Sequence, residues 1–260
     1  MRKHEKNENK KYIVFIIQCI FWLILIYSLS EIVKWCIYNK QNEKIMKEIS
    51  SSITVVDEEQ NKENEGQKEE NSYEVDFDAL KSLNNDTIAF LKVNGTQIEY
   101  PIVKTTNNEY YLNHSFDKKY NAAGWIFADY NNKFDGSDKN IVIYGHNRKN
   151  GTMFSTLKNV LNKKWYEDEK NLKIKLITEQ DSFEYEVFSV YQIKKEEYYL
   201  QTKFKNDDTY FKFIETLKNR SVKNFGIDVD GQNQILTLST CANDNDYRVV
   251  LHAKKVGFTE

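Results

Sequence analysis

Only three cysteines, at positions 19, 36 and 241, occur in the 260 residues. None sits at CxxC spacing and no histidine stands at ligand spacing beside them, so a zinc site is not expected. The same count excludes a disulfide framework in so long a chain. Proline occurs once, at Pro101, and glycine nine times. An excess of either charge is also lacking: 37 Lys and Arg against 39 Asp and Glu leave a formal net charge of -2. With no basic cluster outside the N-terminus, nothing points to nucleic acid as a partner. No segment repeats at solenoid period. Aromatic residues, by contrast, are plentiful, with 17 Tyr and 15 Phe, and they favour a β-rich core.

The one long apolar run is Tyr12 to Ser30. Nineteen helical residues span about 28 Å, the thickness of a hydrocarbon core. Arg2, Lys3, Lys6, Lys10 and Lys11 precede the run, so the positive-inside rule keeps the N-terminus cytoplasmic and sends the rest of the chain outside. The run exceeds a signal-peptide h-region and no A-x-A site follows it, which favours an uncleaved anchor. The helix is expected to continue from Glu31 to about Ile49. Asp57 to Glu70 then carries seven acids and two lysines with no large apolar residue, the composition of a solvated spacer. The organisation read from these patterns is a basic tail at 1–11, an anchor at 12–30, a helical and acidic linker at 31–72 and an extracytoplasmic domain at 73–260.

Within that domain, short helices are predicted at Phe77–Leu83 and Asp86–Leu91. After the Asn94-Gly95 turn signal, strands are predicted at Gln97–Val103, Gly124–Ala128, Asn140–Tyr144, Leu172–Thr178, Phe183–Ile193, Gln234–Thr240 and Arg248–Val256. Many short strands separated by turns indicate a closed or nearly closed barrel. One helix interrupts them. Tyr210, Phe213, Ile214 and Leu217 fall at i, i+3, i+4 and i+7, with Asp207 and Asp208 at its start and Lys218 and Arg220 at its end, as the helix dipole prefers.

The chemistry gathers at strand ends. Ile235-Leu236-Thr237-Leu238-Ser239-Thr240-Cys241 ends an apolar strand in a lone thiol, and Arg248 begins the next. Period two puts Ile235, Thr237, Ser239 and Cys241 on one face, and Leu236, Leu238 and Thr240 on the other. In the second strand Val249, Leu251 and Ala253 form the apolar face, which predicts that Cys241 and Arg248 project away from the core. A thiol beside a cation has the setting of a nucleophile. Upstream, Asn140 to Tyr144 reads as a buried strand running into Gly145 and His146, a candidate general acid and base. Arginine cannot act as a base but can donate to an oxyanion. Taken alone these residues leave alternatives open, since His114 or His252 could stand in for His146. The absence of a resolving cysteine disfavours a thiol redox protein.

Thr237-Leu238-Ser239-Thr240-Cys241, with Arg248 beyond it and Tyr144-Gly145-His146 upstream, resembles the signature of sortases, the membrane-anchored cysteine transpeptidases of Gram-positive bacteria. The segments Asp86–Thr96, Ile98–Val103 and Asn108–Leu112, with the long helix before the cysteine strand, resemble class B members. The resemblance implies an eight-stranded β-barrel with N-terminal helices and one inserted helix. It implies that Cys241 attacks the threonine carbonyl of a C-terminal sorting motif on surface proteins, forms a thioester and passes the acyl group to a peptidoglycan precursor amine. His146 would be the acid and base, and Arg248 would steady the oxyanion. Ser239, Thr240, Asn108, Leu112 and Tyr144 would line the peptide groove. No metal or other cofactor is implied. Class B members often carry an acid directly after the cysteine. Here Ala242 stands there, in a short loop with Asp244 and Asp246, and the motif is left between NPxTN-like and PxTG-like. A pilin-polymerising sortase that uses a lysine nucleophile, and an inactive membrane-tethered peptide-binding module, are the alternatives.

Overall fold

The computed structural model describes residues 2–56, 72–241 and 246–258, with the side chains of 2–10, 72, 241 and 258 outside the description. The acidic spacer at Asp57–Glu70, Ala242 and Asp244 therefore lie outside the described residues. The chain divides into two units, Met1–Lys44 and Ile45–Glu260. Helix α1 runs over Arg2–Ser50, so the predicted continuation beyond Glu31 is present. Among the described residues it is the one helix long and apolar enough to cross a membrane.

The second unit begins in the last turn of that helix, where Ile45 and Ile49 are buried in the main core. Strands β1 (Ile53–Val56) and β2 (Ser72–Val75) pair antiparallel. Helix α2 covers Phe77–Leu83, and its first turn is capped by Asp76, whose side chain accepts from the Ala79 amide at 2.9 Å. Eight further strands close a barrel. They are β3 (Thr87–Val93), β4 (Ile98–Val103), β5 (Phe127–Ala128), β6 (Asn140–His146), β7 (Lys173–Ile177), β8 (Ser182–Lys194), β9 (Ile235–Cys241) and β10 (Tyr247–Phe258). Their order around the wall is β10-β8-β7-β3-β4-β5-β6-β9. The β4–β5 and β6–β9 pairs are parallel, and the others are antiparallel. A one-turn helix α3 (Lys163–Tyr166) lies between β6 and β7, and α4 (Asp207–Arg220) between β8 and β9.

The expected helix at Asp86–Leu91 is instead the start of β3. A run of that length cannot nucleate a helix on its own, and short apolar runs suit a buried strand equally well. The barrel decides, because β3 finds partners on both edges: Phe90 lies opposite Pro101 of β4 and Ile177 of β7. The β3–β4 connection uses Gly95 at φ +66, in the left-handed region that glycine enters without strain. Pro101 is tolerated within β4 because that strand pairs with β5 only at Val103 opposite Phe127, so its missing amide interrupts no ladder on that side. Its carbonyl accepts from the Trp125 indole at 2.9 Å.

Two cores share the wall. Leu236, Leu238, Val249, Leu251 and Ala253 point into the barrel with Leu91, Ile143 and Val187. On the outer side of β8, β9 and β10, helix α4 buries Tyr210, Phe213, Ile214 and Leu217 against Phe188, Tyr191, Ile235 and Val250. The period-two reading of β9 and β10 is therefore right about which residues share a face, for those whose side chains are described. The second face, however, is roofed rather than open, because the inserted helix supplies an apolar surface of its own.

Candidate active site

The end of the barrel where β6, β9 and β10 terminate carries the three residues singled out from the sequence. In the parallel β6–β9 pair, Tyr144 lies opposite Ser239 and His146 opposite Cys241. In the antiparallel β9–β10 pair, Val250 lies opposite Ser239, and Arg248 and Cys241 each stand two residues beyond that pair, at the same end of the two strands. Side chains two residues apart on a strand share a face. Register alone thus brings His146, Cys241 and Arg248 to neighbouring positions on three adjacent strands. The half-buried Arg248 has its Nη1 buried with no hydrogen-bond partner among the described residues. A buried donor of this kind is costly unless it meets an acceptor.

His146 is oriented from behind. Its Nε2 lies 2.7 Å from the Leu112 carbonyl oxygen, which can only accept, so Nε2 carries the proton and donates. The approach requires Gly124. That residue sits at φ +60, and a Cβ there would fall 2.7 Å from the imidazole Cδ2 and 2.6 Å from the Tyr111 carbonyl oxygen. Sequence reasoning did not single out Gly124, because one glycine in a loop carries no sign of what approaches it.

The other two histidines whose side chains are described have different surroundings. His114 stacks on Tyr110 with ring centroids 4.0 Å apart, and its Nδ1 lies 2.7 Å from the Tyr110 carbonyl. His252 is 0 % exposed and pairs with Thr237, four residues short of the thiol. Asn140 donates its Nδ2 to the Gln201 carbonyl at 2.9 Å, and its Oδ1 accepts the Thr237 hydroxyl at 2.7 Å. With its one proton spent there, Thr237 accepts from His252 Nδ1 at 2.9 Å, and His252 Nε2 accepts from Tyr191 at 2.9 Å. The ring is therefore neutral, and burial lowers its pKa to about 3. His252 locks β9 to β10 and takes no part at the strand ends.

The five expected groove residues divide. Ser239 (2 % exposed) and Thr240 (3 %) are both buried, on opposite faces of β9. The Ser239 hydroxyl is 3.0 Å from the Tyr199 hydroxyl, and Thr240 Oγ1 accepts the Val249 amide at 2.9 Å. Both serve here as ties that hold β9. Asn108, Leu112 and Tyr144 are only half-buried. Asn108 and Tyr144 meet on one carboxylate, Asp129, at 2.7 and 2.8 Å. Asp129 was not singled out either, since an acid directly after the predicted strand Gly124–Ala128 reads as a loop residue. Among the described residues no group of three or more His, Cys, Asp or Glu is arranged to hold a metal.

Comparison with known proteins finds relatives of this chain and of its fold. The family model described as a sortase domain matches residues 91–256. Sortase B of Listeria monocytogenes is 35% identical over 180 residues, covering 68% of this chain and 72% of the relative. Two solved structures are similar in fold. Sortase B from Bacillus anthracis has a TM-score of 0.71 at 31% identity, over 85% of this chain and 98% of that one. The Staphylococcus aureus sortase B–substrate complex has a TM-score of 0.66 at 32% identity, over 70% of this chain and 84% of that one.

Proposed function

The chain belongs to the sortase family, with class B relatives, and from that premise we propose how this sortase-type transpeptidase works and on what. Cys241 is the nucleophile, His146 the general acid and base, and Arg248 the oxyanion donor. The Cys241 thiolate attacks the backbone carbonyl carbon of the threonine in a sorting motif, NPxTN-like or PxTG-like, on a surface protein. Arg248 donates to the oxyanion as the tetrahedral centre forms. Nδ1 of His146, carrying the proton taken from the Cys241 thiol, gives it to the departing amine while Nε2–H stays on the Leu112 carbonyl; the C–N bond breaks, and the acyl group stays on sulfur as a thioester. A peptidoglycan precursor amine then attacks the thioester carbonyl, losing its proton to His146. The C–S bond breaks, the thiolate leaves, and the surface protein is joined to the wall by a new amide.

The observation that carries this reading is the register: His146 lies opposite Cys241 across β6–β9, and Arg248 of β10 stands two residues beyond the Val250–Ser239 pair, at the Cys241 end of β9. The Nη1 of Arg248, buried and without a hydrogen-bond partner among the described residues, suits a group whose acceptor arrives with substrate. Asn108, Leu112 and Tyr144 are proposed to hold the motif, as the existence of a substrate complex for the Staphylococcus aureus relative encourages. Residues 12–30 are the proposed anchor, with the N-terminus cytoplasmic and the 73–260 domain outside.

Cys241→Ala tests the nucleophile. The variant is expected to unfold like the wild type and to lose cleavage by at least about a thousandfold. Mass spectrometry of the wild type trapped with a sorting peptide is expected to find the acyl group on Cys241. Measurable transpeptidation by the variant would remove the assignment.

A further inference from the structure

Asp129 is 5 % exposed, and among the described residues no lysine or arginine pairs with it. Its partners are neutral donors. Oδ2 accepts from Asn108 Nδ2 at 2.7 Å and from the Tyr144 hydroxyl at 2.8 Å. Oδ1 accepts from the Asn131 amide at 2.9 Å and from Asn131 Nδ2 at 3.0 Å. The residue itself is pinned, because its amide donates to the Val142 carbonyl of β6 at 2.9 Å. A carboxylate withdrawn from water without a cation is costly, and hydrogen bonds are all that offset it here. For packing alone an apolar residue would serve at least as well.

The arrangement has a directional consequence. A carboxylate only accepts, so Asn108 must turn Nδ2 toward it, and the Tyr130 amide fills the opposite side of the same group by donating to Asn108 Oδ1 at 3.0 Å. Among the described residues, one Nδ2 hydrogen of Asn108 remains without an acceptor. Tyr144 has spent its single proton on Asp129, so its oxygen can act toward a ligand only as an acceptor. Tyr144 stands two residues before His146 on the same face of β6. The pair thus offers a donor and an acceptor side by side, the complement of a peptide C=O and N–H.

We propose that Asp129 is a positioning residue that orders Asn108 and Tyr144 into a donor–acceptor pair for the backbone of an extended peptide. This rests on the peptide-processing function proposed above. Asp129 touches no reacting atom. It acts on binding, so its loss raises KM and spares kcat.

The test uses the full chain in detergent, with fluorogenic peptides carrying an NPxTN-type and a PxTG-type motif. Wild type is measured first. Turnover of neither peptide ends the functional reading and takes this proposal with it, before any variant is made. Given wild-type turnover, Asp129→Asn is expected to raise KM about tenfold with kcat within about twofold. In the Asn108→Ala/Tyr144→Phe background the same substitution is expected to change KM by less than about twofold, because the residues it acts through are gone. Three results overturn the proposal: an unchanged KM, a loss confined to kcat, or a second tenfold rise in the double-variant background. Should Asp129→Asn fail to fold, Tyr144→Phe carries the decision. It removes one donor and leaves the carboxylate, with a KM rise of about threefold expected and an unchanged KM fatal.

Discussion

At the scale of the residue, two chemically identical imidazoles differ by what surrounds them. His146 ends a strand, half-buried, with Nε2 tied to a carbonyl. His252 is walled in between Thr237, Tyr191 and the ring of Phe188, and desolvation disfavours its charged form. A buried neutral histidine links folding to protons. The unfolded chain takes a proton below about pH 6.5, whereas the folded one refuses it until about pH 3. The unfolded state therefore binds more protons in that window, and stability falls as pH drops through it, by at most about 1.4 kcal/mol per pH unit. His252→Gln removes this contribution. The variant is expected to be less stable than wild type at pH 7.5, with the gap narrowing steadily toward pH 4.5 in urea unfolding. A gap independent of pH would mean that His252 is charged in the fold.

At the scale of the element, the inserted helix α4 has both strong local signals and a non-local task. Asn206 and Thr209 exchange bonds in a capping box, with Asp207 and Asp208 in the first turn and Lys218 and Arg220 in the last. Arg220 also pairs with Glu196 at 3.0 Å and lies over the Tyr198 ring at 4.0 Å. The helix makes a second core on the outside of the strands that carry Cys241 and Arg248. Ile214 is fully buried there. Ile214→Ala is expected to destabilise the protein by about 2–5 kcal/mol, read as a lower urea midpoint. A shift below about 0.5 kcal/mol would show that the roof contributes little. The boundaries of α4 were legible beforehand because caps, charges and the 3.6-residue period agreed. Those of β3 were not, since six residues of mixed pattern fit either period until β4 and β7 take up both edges.

At the scale of the whole molecule, a 49-residue helix is followed by a closed eight-stranded barrel. The basic residues before Tyr12 set the proposed orientation. Protease added to intact protoplasts is expected to digest the 73–260 portion and leave a membrane-protected N-terminal fragment. Survival of the 73–260 portion until lysis would reverse the topology. The barrel keeps three strand ends together through hydrogen bonds along their length: β6 matches β9 over seven consecutive pairs, and a one-residue slip would turn every side chain to the other face.

Sequence alone determined the long apolar run, most of the strands, helix α4, and the run Thr237–Cys241 with His146 and Arg248, because periodicity, capping and motif are properties of neighbouring residues. Three things were decided only by the tertiary structure: the covering of the second face of β9 and β10, the burial of Ser239 and Thr240 as ties, and the meeting of Asn108 with Tyr144 on Asp129. Each depends on which segments distant in the chain come to lie against one another. That is settled by strand register and by the burial of apolar surface, and neither leaves a mark in the local order of residues.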